Sequence, residues 1–126
     1  MPVIGTLSKR DEFRSPIEVW NQSAVLDAAA ETTDSVVANC YGICDVQFNT
    51  TGSASANITI IENSLDGGTT WVEVSTGTDR TANGSYKETF TGTLGLVRAK
   101  LKTLTGGTTP TVANIVISIT DLTGIR

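Results

Sequence analysis

Seven short β-favouring runs, separated by turns rich in glycine, asparagine and threonine, fill the chain from Ser35 onward and constrain its fold more than any other feature. They are SVVANC, ICDVQFNT, NITIIEN, WVEVS, SYKETF, LVRAKLKTL and TVANIVISITD. Apolar and polar residues alternate in most of them, which is the period of a strand with one buried face. Seven such strands predict an all-β domain over residues 35–126, an antiparallel β-sandwich of immunoglobulin-like or jelly-roll-like type.

The alternation also assigns the faces of the predicted strands. Three runs supply apolar stripes for one shared core, namely Cys44, Val46 and Phe48, then Val97, Ala99 and Leu101, then Ala113, Ile115, Ile117 and Ile119. In the LVRAKLKTL run, Arg98, Lys100 and Lys102 face the other way and form a cationic row. This row is a candidate surface for an acidic partner, and its alternative role is solubilisation or edge protection.

Residues 1–34 differ from the rest because they mix proline, charges and isolated large apolar residues without a sustained period. We interpret them as an extended N-terminal arm, in which AVLDAAAETTD is long enough for one or two helical turns only. Large apolar side chains in an arm are unfavourable in water, so they are predicted to dock on the domain itself or on a neighbouring molecule. The predicted partner-binding residues are Ile4, Leu7, Phe13, Ile17, Trp20 and Val25.

Residues 64–71, SLDGGTTW, match the S-x-D-x-G-x-T-W spacing of the Asp-box, a hairpin motif that recurs in sialidases and other propeller proteins. We predict a structural turn formed by Ser64, Asp66, Gly67, Gly68, Thr70 and Trp71. The Asp66 carboxylate would accept hydrogen bonds from turn N–H groups, the glycines permit positive φ, and Trp71 would anchor the hairpin on the core. None of these roles is catalytic, and the motif occurs once in the chain.

Composition removes most catalytic and metal-binding chemistry. The chain has no histidine, two cysteines and 13 acidic residues. Without histidine it cannot form a Ser-His-Asp triad, and two cysteines alone cannot supply the four nitrogen or sulfur ligands of a common zinc site. We therefore predict that the protein is not an enzyme and needs no cofactor or metal. The two cysteines, Cys40 and Cys44 in CYGIC, are interpreted either as small apolar residues in or near the core or as a disulfide across a bend.

Charge and hydropathy limit the partners. A net charge of −4 disfavours a general nucleic-acid or anionic-membrane surface, and no apolar run reaches the ~20 residues of a membrane helix. The first residues, MPVIGTLSKRDEF, lack the charged-then-apolar layout of a signal peptide, which predicts synthesis and folding in a cytosol.

Two stretches together resemble a module common in structural proteins of tailed bacteriophages. They are VQFNTTGSASANITIIENSLDGGTTWVEV and GSYKETFTGTLGLVRAKLKTLTGGTTPTVANIVISI, roughly the C-terminal two thirds of the chain. The resemblance implies a β-sandwich used as an accessory piece of the virion, assembled in the host bacterial cytoplasm. It transfers no catalytic residues, and it does not cover the arm.

Two functions are therefore expected. The first is a capsid decoration protein, in which a trimer or other homo-oligomer binds the major capsid protein and stabilises the assembled head through the arm and a sandwich face. The alternative is a neck, tail or fibre-associated module that binds a carbohydrate or a receptor. That alternative requires exposed aromatic rings, and the chain offers only Trp20, Tyr41, Trp71 and Tyr86 as tryptophan or tyrosine candidates.

Overall fold

The computed structural model describes residues 17–38 and 41–122 of the chain. Within these ranges the regular elements are all β-strands, and they form two four-stranded antiparallel sheets. The strands are β1 (Ile17–Gln22), β2 (Val36–Ala38), β3 (Gly42–Thr51), β4 (Ala56–Ser64), β5 (Val72–Glu73), β6 (Gly84–Thr91), β7 (Gly95–Thr105) and β8 (Thr111–Asp121). The all-β fold class predicted from the sequence is confirmed. Each of the seven predicted runs contains a strand, and β1 is an additional one.

The order of the strands identifies the sandwich as a jelly roll. The first sheet has the order β1-β8-β3-β6 and the second the order β2-β7-β4-β5. The pairing is nested along the chain: the first strand pairs with the last, the second with the second to last, and so on. The four pairs are β1 with β8, β2 with β7, β3 with β6 and β4 with β5. This is the pattern of one long hairpin rolled over into two sheets, as in eight-stranded jelly rolls. Of the two predicted sandwich types, the structure has the second.

The core lies between the sheets and consists of the inward-facing residues that the alternation predicts. Nine of the predicted inward-facing residues are at most 2% exposed, namely Cys44, Val46, Phe48, Val97, Ala99, Leu101, Ile115, Ile117 and Ile119. Burying each large apolar side chain contributes about 1.5–3 kcal/mol to folding, so these stripes supply most of the driving force.

A β-bulge in β8 corrects one residue of the predicted core. Gln47 of β3 pairs with Val116, whereas Asn49, two residues on, pairs with Ala113, so β8 carries one extra residue here. Asn114 lies at the bulge with a φ of 53°. The extra residue reverses the alternation, and Val112, fully buried, takes the core position that the uninterrupted period gave to Ala113.

Residues 17–34 lie along the edges of both sheets, which differs from the predicted division at residue 34. Strand β1 pairs with β8 from Ile17 to Gln22, and Leu26 exchanges two 2.8 Å hydrogen bonds with Val112. The chain then crosses to the second sheet, where the Ala30 N–H donates to the Leu101 carbonyl at 2.7 Å. No helix forms here, because these edges supply the backbone partners instead.

The β5–β6 side of the sandwich is closed by the connection between these two strands. Arg80 reaches across it and pairs with Glu88 of β6 at 3.0 Å, and the Glu88 side chain is 8% exposed. The Arg80 guanidinium also lies 4.7 Å from the centre of the Tyr86 ring. A buried carboxylate therefore has its cation supplied by the loop that joins the sheets.

Candidate interaction surface

The Asp-box forms the turn between β4 and β5, held by side chains that bond to the turn backbone. Oδ1 of Asp66 accepts hydrogen bonds from the Thr70 N–H and from the Ser64 hydroxyl, both at 2.8 Å. The Ser64 hydroxyl in turn accepts the Gly68 N–H at 2.9 Å. Gly67 and Gly68 have φ values of 75° and 96°, a region that glycine enters without strain.

These bonds favour the ionised form of Asp66. Hydrogen bonds from the backbone and side chain of Thr70 and from the side chain of Ser64 lower the pKa of Asp66 from 3.8 to about 2. A carboxylate whose oxygen is already used by its own turn is organised for structure. The geometry agrees with the predicted structural turn.

Trp71 does not reach the core, and that part of the prediction is wrong. Its ring is half-buried on the outer face of the second sheet, where its Nε1–H donates to the Gly68 carbonyl at 3.0 Å. The Arg98 guanidinium stacks over the ring at 3.9 Å from the ring centre. The neighbouring Val72 pairs with Asn63 and is 56% exposed, so it does not reach the core either. Trp71 therefore anchors the turn on the sheet surface.

The cationic row lies on this outer face, as predicted, and it is neutralised within the chain. Arg98 and Lys100 pair with Glu62 at 2.9 Å and 3.5 Å. Lys102 pairs with Glu73 at 2.9 Å. An acidic partner would have to compete with these carboxylates, so the row is a weak candidate for recognition.

Exposed large apolar side chains concentrate at one end of the sandwich. At this end β1 and β3 begin and β6 and β8 end, since Ile43 lies across from both Thr91 and Thr120. The three-residue link from β6 to β7 brings the end of β4 to the same place. We call this the apolar end, and it presents Ile17, Val19, Val37, Tyr41, Leu65, Val72 and Leu94, each at least 44% exposed.

The opposite end is built from small and polar residues. Its two main loops, residues 51–55 and 106–110, have the sequences TGSAS and GGTTP. They are tied together by the Thr108 N–H, which donates to the Gly52 carbonyl at 2.8 Å. Of the exposed large apolar residues in the described ranges, only Val25 lies near this end, close to the Leu26–Val112 bridge. The molecule is therefore chemically polarised along the strands.

A groove opens at the apolar end beside β5. It has a volume of about 440 Å³ and is lined by Asn63, Leu65, Asp66, Thr70, Val72 and Val74. Asn63 holds the β6–β7 link next to it, because its Nδ2 donates to the carbonyls of Leu94 and Leu96 at 2.7 Å and 2.8 Å. Three of the six lining residues, Leu65, Val72 and Val74, are apolar, and Asp66 adds the one charged side chain.

The predicted arm residues separate into three groups. Trp20 is half-buried and packs against the core, which is the docking on the parent domain that the sequence left open. Ile17 and Val25 are exposed, at opposite ends of the sandwich. Ile4, Leu7 and Phe13 lie outside the described residues.

Sequence reasoning missed Leu65 and Leu94 as surface residues, and it named Tyr41 only as a candidate ring for a carbohydrate site. Leu65 is 78% exposed, and its signal was available, because a large aliphatic residue in the turn SLDGG has no place in the alternation. Tyr41 and Leu94 flank strand ends in the same way. Only the fold brings these three positions to one end.

Cys44 has a free thiol and is fully buried. Burial, and to a smaller extent the neighbouring Asp45 charge, raises the pKa of this thiol to about 12. Cys44 is therefore a small core residue with a free thiol, which is the first of the two interpretations of the cysteines given above. Cys40 lies outside the described residues.

No group of three or more Cys, Asp or Glu side chains within the described ranges is placed to hold a metal ion. Likewise, no helix of the described structure has the length and apolarity needed to cross a membrane.

Comparison with solved structures finds a shared fold. The crystal structure of the SPBc2 prophage-derived protein YomS superposes with a TM-score of 0.53 at 10% identity, over 82% of this chain and 91% of that one. A structure of infectious bursal disease virus, Gx strain, gives a TM-score of 0.47 at 12% identity, over 87% of this chain and 33% of that one. No protein-family model and no curated protein sequence matches the chain. The chain and the prophage protein thus share a fold over nearly their whole lengths.

Proposed function

We propose that this chain is a structural protein of a bacteriophage virion, and specifically a capsid decoration protein that stabilises the assembled head. Its partners would be the major capsid protein and further copies of itself, with a trimer as the favoured assembly. In this role the chain has no catalytic task, and its place is in the virion.

The polarity of the sandwich is the observation that most supports this proposal. Seven exposed apolar side chains gather at one end, while the other end is made of glycine, serine and threonine loops. A concentration of exposed large apolar side chains at one end of a domain is typical of a surface that contacts another macromolecule. A domain that attaches to a shell by one end and meets solvent with the other needs this distribution.

Two further observations support the phage context. The sequence resembles accessory modules of tailed phages from Val46 to Ile119. Independently, the fold is shared over 91% of a prophage-derived protein. Because fold alone does not define function, these two observations add support to the proposal but do not replace the argument from the exposed apolar surface.

Exposed aromatic rings do not favour the carbohydrate-binding alternative. Trp20 and Tyr86 pack against the core, and Arg98 covers one face of the Trp71 ring. Tyr41, at 48% exposure, is the one remaining tryptophan or tyrosine ring of the chain. A sugar platform commonly needs more aromatic surface than this single ring supplies.

Copy number per particle tests the proposal. Particles purified from the phage or lysogen that encodes the chain are analysed by quantitative mass spectrometry against the major capsid protein. Hundreds of copies per particle are expected for a decoration protein. About a dozen copies or fewer would move the chain to the neck, tail or fibre, and absence from purified particles would contradict a virion role.

A further inference from the structure

The groove beside β5 is an exposed apolar cleft with one charged residue at its rim. Leu65 and Val72, which form its walls, are 78% and 56% exposed. Asp66 lies at the rim and keeps its charge, because its turn holds its pKa near 2. A fitting occupant is therefore an extended segment with apolar side chains followed by a basic residue.

The first 16 residues of the chain have this chemistry. Val3, Ile4 and Leu7 are apolar, and Lys9 and Arg10 follow them directly after Ser8. If Leu7 enters the groove, an extended chain places Lys9 about 7 Å further along, close enough for attraction to a rim carboxylate. No other stretch before β1 combines these features.

The described structure begins at the same end as the groove. Ile17 pairs with Thr120, next to the end of β8, so the first described residue lies at the apolar end. Sixteen extended residues span roughly 50 Å. Within one molecule, three strand spacings and the gap between the sheets separate the β1 edge from the groove by about 20 Å, so the length of the segment permits binding to its own groove or to that of an adjoining copy.

We propose that residues 1–16 of one copy bind in the groove lined by Leu65, Val72 and Val74 of a neighbouring copy, so that the apolar ends of two or more copies face each other. This inference rests on the proposed function and deepens it, because it names the contact that joins the subunits.

Exchange between copies explains the apolar end better than binding within one copy. Ile17 starts from the β1 edge of one sheet, while the groove lies at the β5 edge of the other. If residues 1–16 bound the groove of their own molecule, they would cover part of the apolar end and leave its other apolar side chains exposed to water. Facing copies bury the exposed Tyr41, Leu65 and Leu94 on both partners, and reciprocal exchange satisfies every groove in a closed assembly.

The association state of the full-length protein tests this proposal. Sedimentation equilibrium of the wild type is compared with the double variant Leu65→Asp, Val72→Asp, whose positions are 78% and 56% exposed. Circular dichroism and urea unfolding check that the double variant is folded. The double variant should self-associate at least about tenfold more weakly. Thr108→Asp is the control, because Thr108 is exposed in the 106–110 loop at the opposite end, and it should associate like the wild type.

A mixing experiment separates exchange between copies from docking within one copy. Leu7→Asp disables the segment and leaves the groove intact, whereas the double groove variant has the opposite defect. Each should be impaired alone, and an equimolar mixture should form a heterodimer through one intact junction. If the groove variant weakens association and Leu7→Asp does not, the groove binds some other part of the second copy. That result would overturn the role of residues 1–16.

The outcome is independent of the virion assignment. A wild-type protein that stays monomeric at high concentration overturns this inference, even if the chain is abundant in particles. Conversely, oligomers that form as described in a protein absent from particles would contradict the proposed function alone.

Discussion

Asp66 shows how a short motif is built for structure at the scale of one residue. One carboxylate oxygen accepts both the Thr70 N–H and the Ser64 hydroxyl, and these bonds are stronger to an ionised oxygen than to a protonated one. The consequence is a pKa lowered to about 2 in the folded chain. A folded pKa below the unfolded value adds stability above the unfolded pKa, and this is lost as the pH falls toward the folded one.

Asp66→Asn should therefore change the acid dependence of stability. The difference between the urea midpoints of the wild type and the variant should be constant above about pH 5 and shrink as the pH falls toward 2, where Asp66 itself is protonated. The control is Asp27→Asn, an exposed carboxylate that accepts no hydrogen bond within the described ranges; its profile should follow the wild type. Identical acid profiles for the wild type and Asp66→Asn would contradict a charge-dependent turn.

Strand β1 shows at the scale of one element how a sequence without a clear period becomes part of a sheet. Its inward residue Trp20 pairs with Ile117 and packs against the core, whereas Val19 faces outward. The strand covers the edge of β8 and is itself an edge of the first sheet. Its polar and apolar residues are mixed because one side of an edge strand meets solvent.

Trp20→Ala should destabilise the protein by about 2–3 kcal/mol, less than a fully buried tryptophan would cost because the ring is half-exposed. Val19→Ala, on the opposite face of the same strand, should stay within about 0.5 kcal/mol. Both are measured by urea unfolding under conditions where the protein is monomeric. Equal losses for the two variants would show that β1 is bound by its backbone alone.

The bulge in β8 gives a second prediction for an element. Asn114 has a φ of 53°, a conformation open to asparagine and glycine and strained for a β-branched residue. Asn114→Val should cost about 1–2 kcal/mol, while Asn114→Gly should change stability by about 0.5 kcal/mol or less. Thermal or urea unfolding measures both. Tolerance of valine would mean that the bulge can shift its register, which would move Val112 out of the core.

At the scale of the whole molecule, the two sheets are joined on one side by residues 23–35 and on the other by the loop that carries Arg80. The Arg80–Glu88 pair lies where the sheets would otherwise separate, with the Glu88 side chain 8% exposed. A buried carboxylate without its cation is strongly unfavourable. The pair therefore makes closure of the sandwich depend on this loop.

Arg80→Ala should destabilise the protein by about 3 kcal/mol, because it leaves Glu88 buried and unpaired. The double variant Arg80→Met, Glu88→Leu should recover most of this loss, since it removes both charges together. Lys102→Ala breaks an exposed pair with Glu73 and should cost about 0.5 kcal/mol or less. An Arg80→Ala protein as stable as the Lys102→Ala protein would show that water, and not Arg80, solvates Glu88.

The strands, most of their inward faces and the Asp-box turn could be predicted from the sequence, because they depend on alternation and turn chemistry between residues close along the chain. The sequence predicted Cys44, Val46 and Phe48 as core and Arg98, Lys100 and Lys102 as an outer row. Four features came from the fold and could not be predicted: the jelly-roll order, the bulge at Asn114, the place of residues 17–34, and the position of Tyr41, Leu65 and Leu94 at one end. These depend on pairings between distant residues, such as Ile17 with Thr120. The local pattern of a strand does not specify which other strand it pairs with, so the candidate surface could be identified only from the fold.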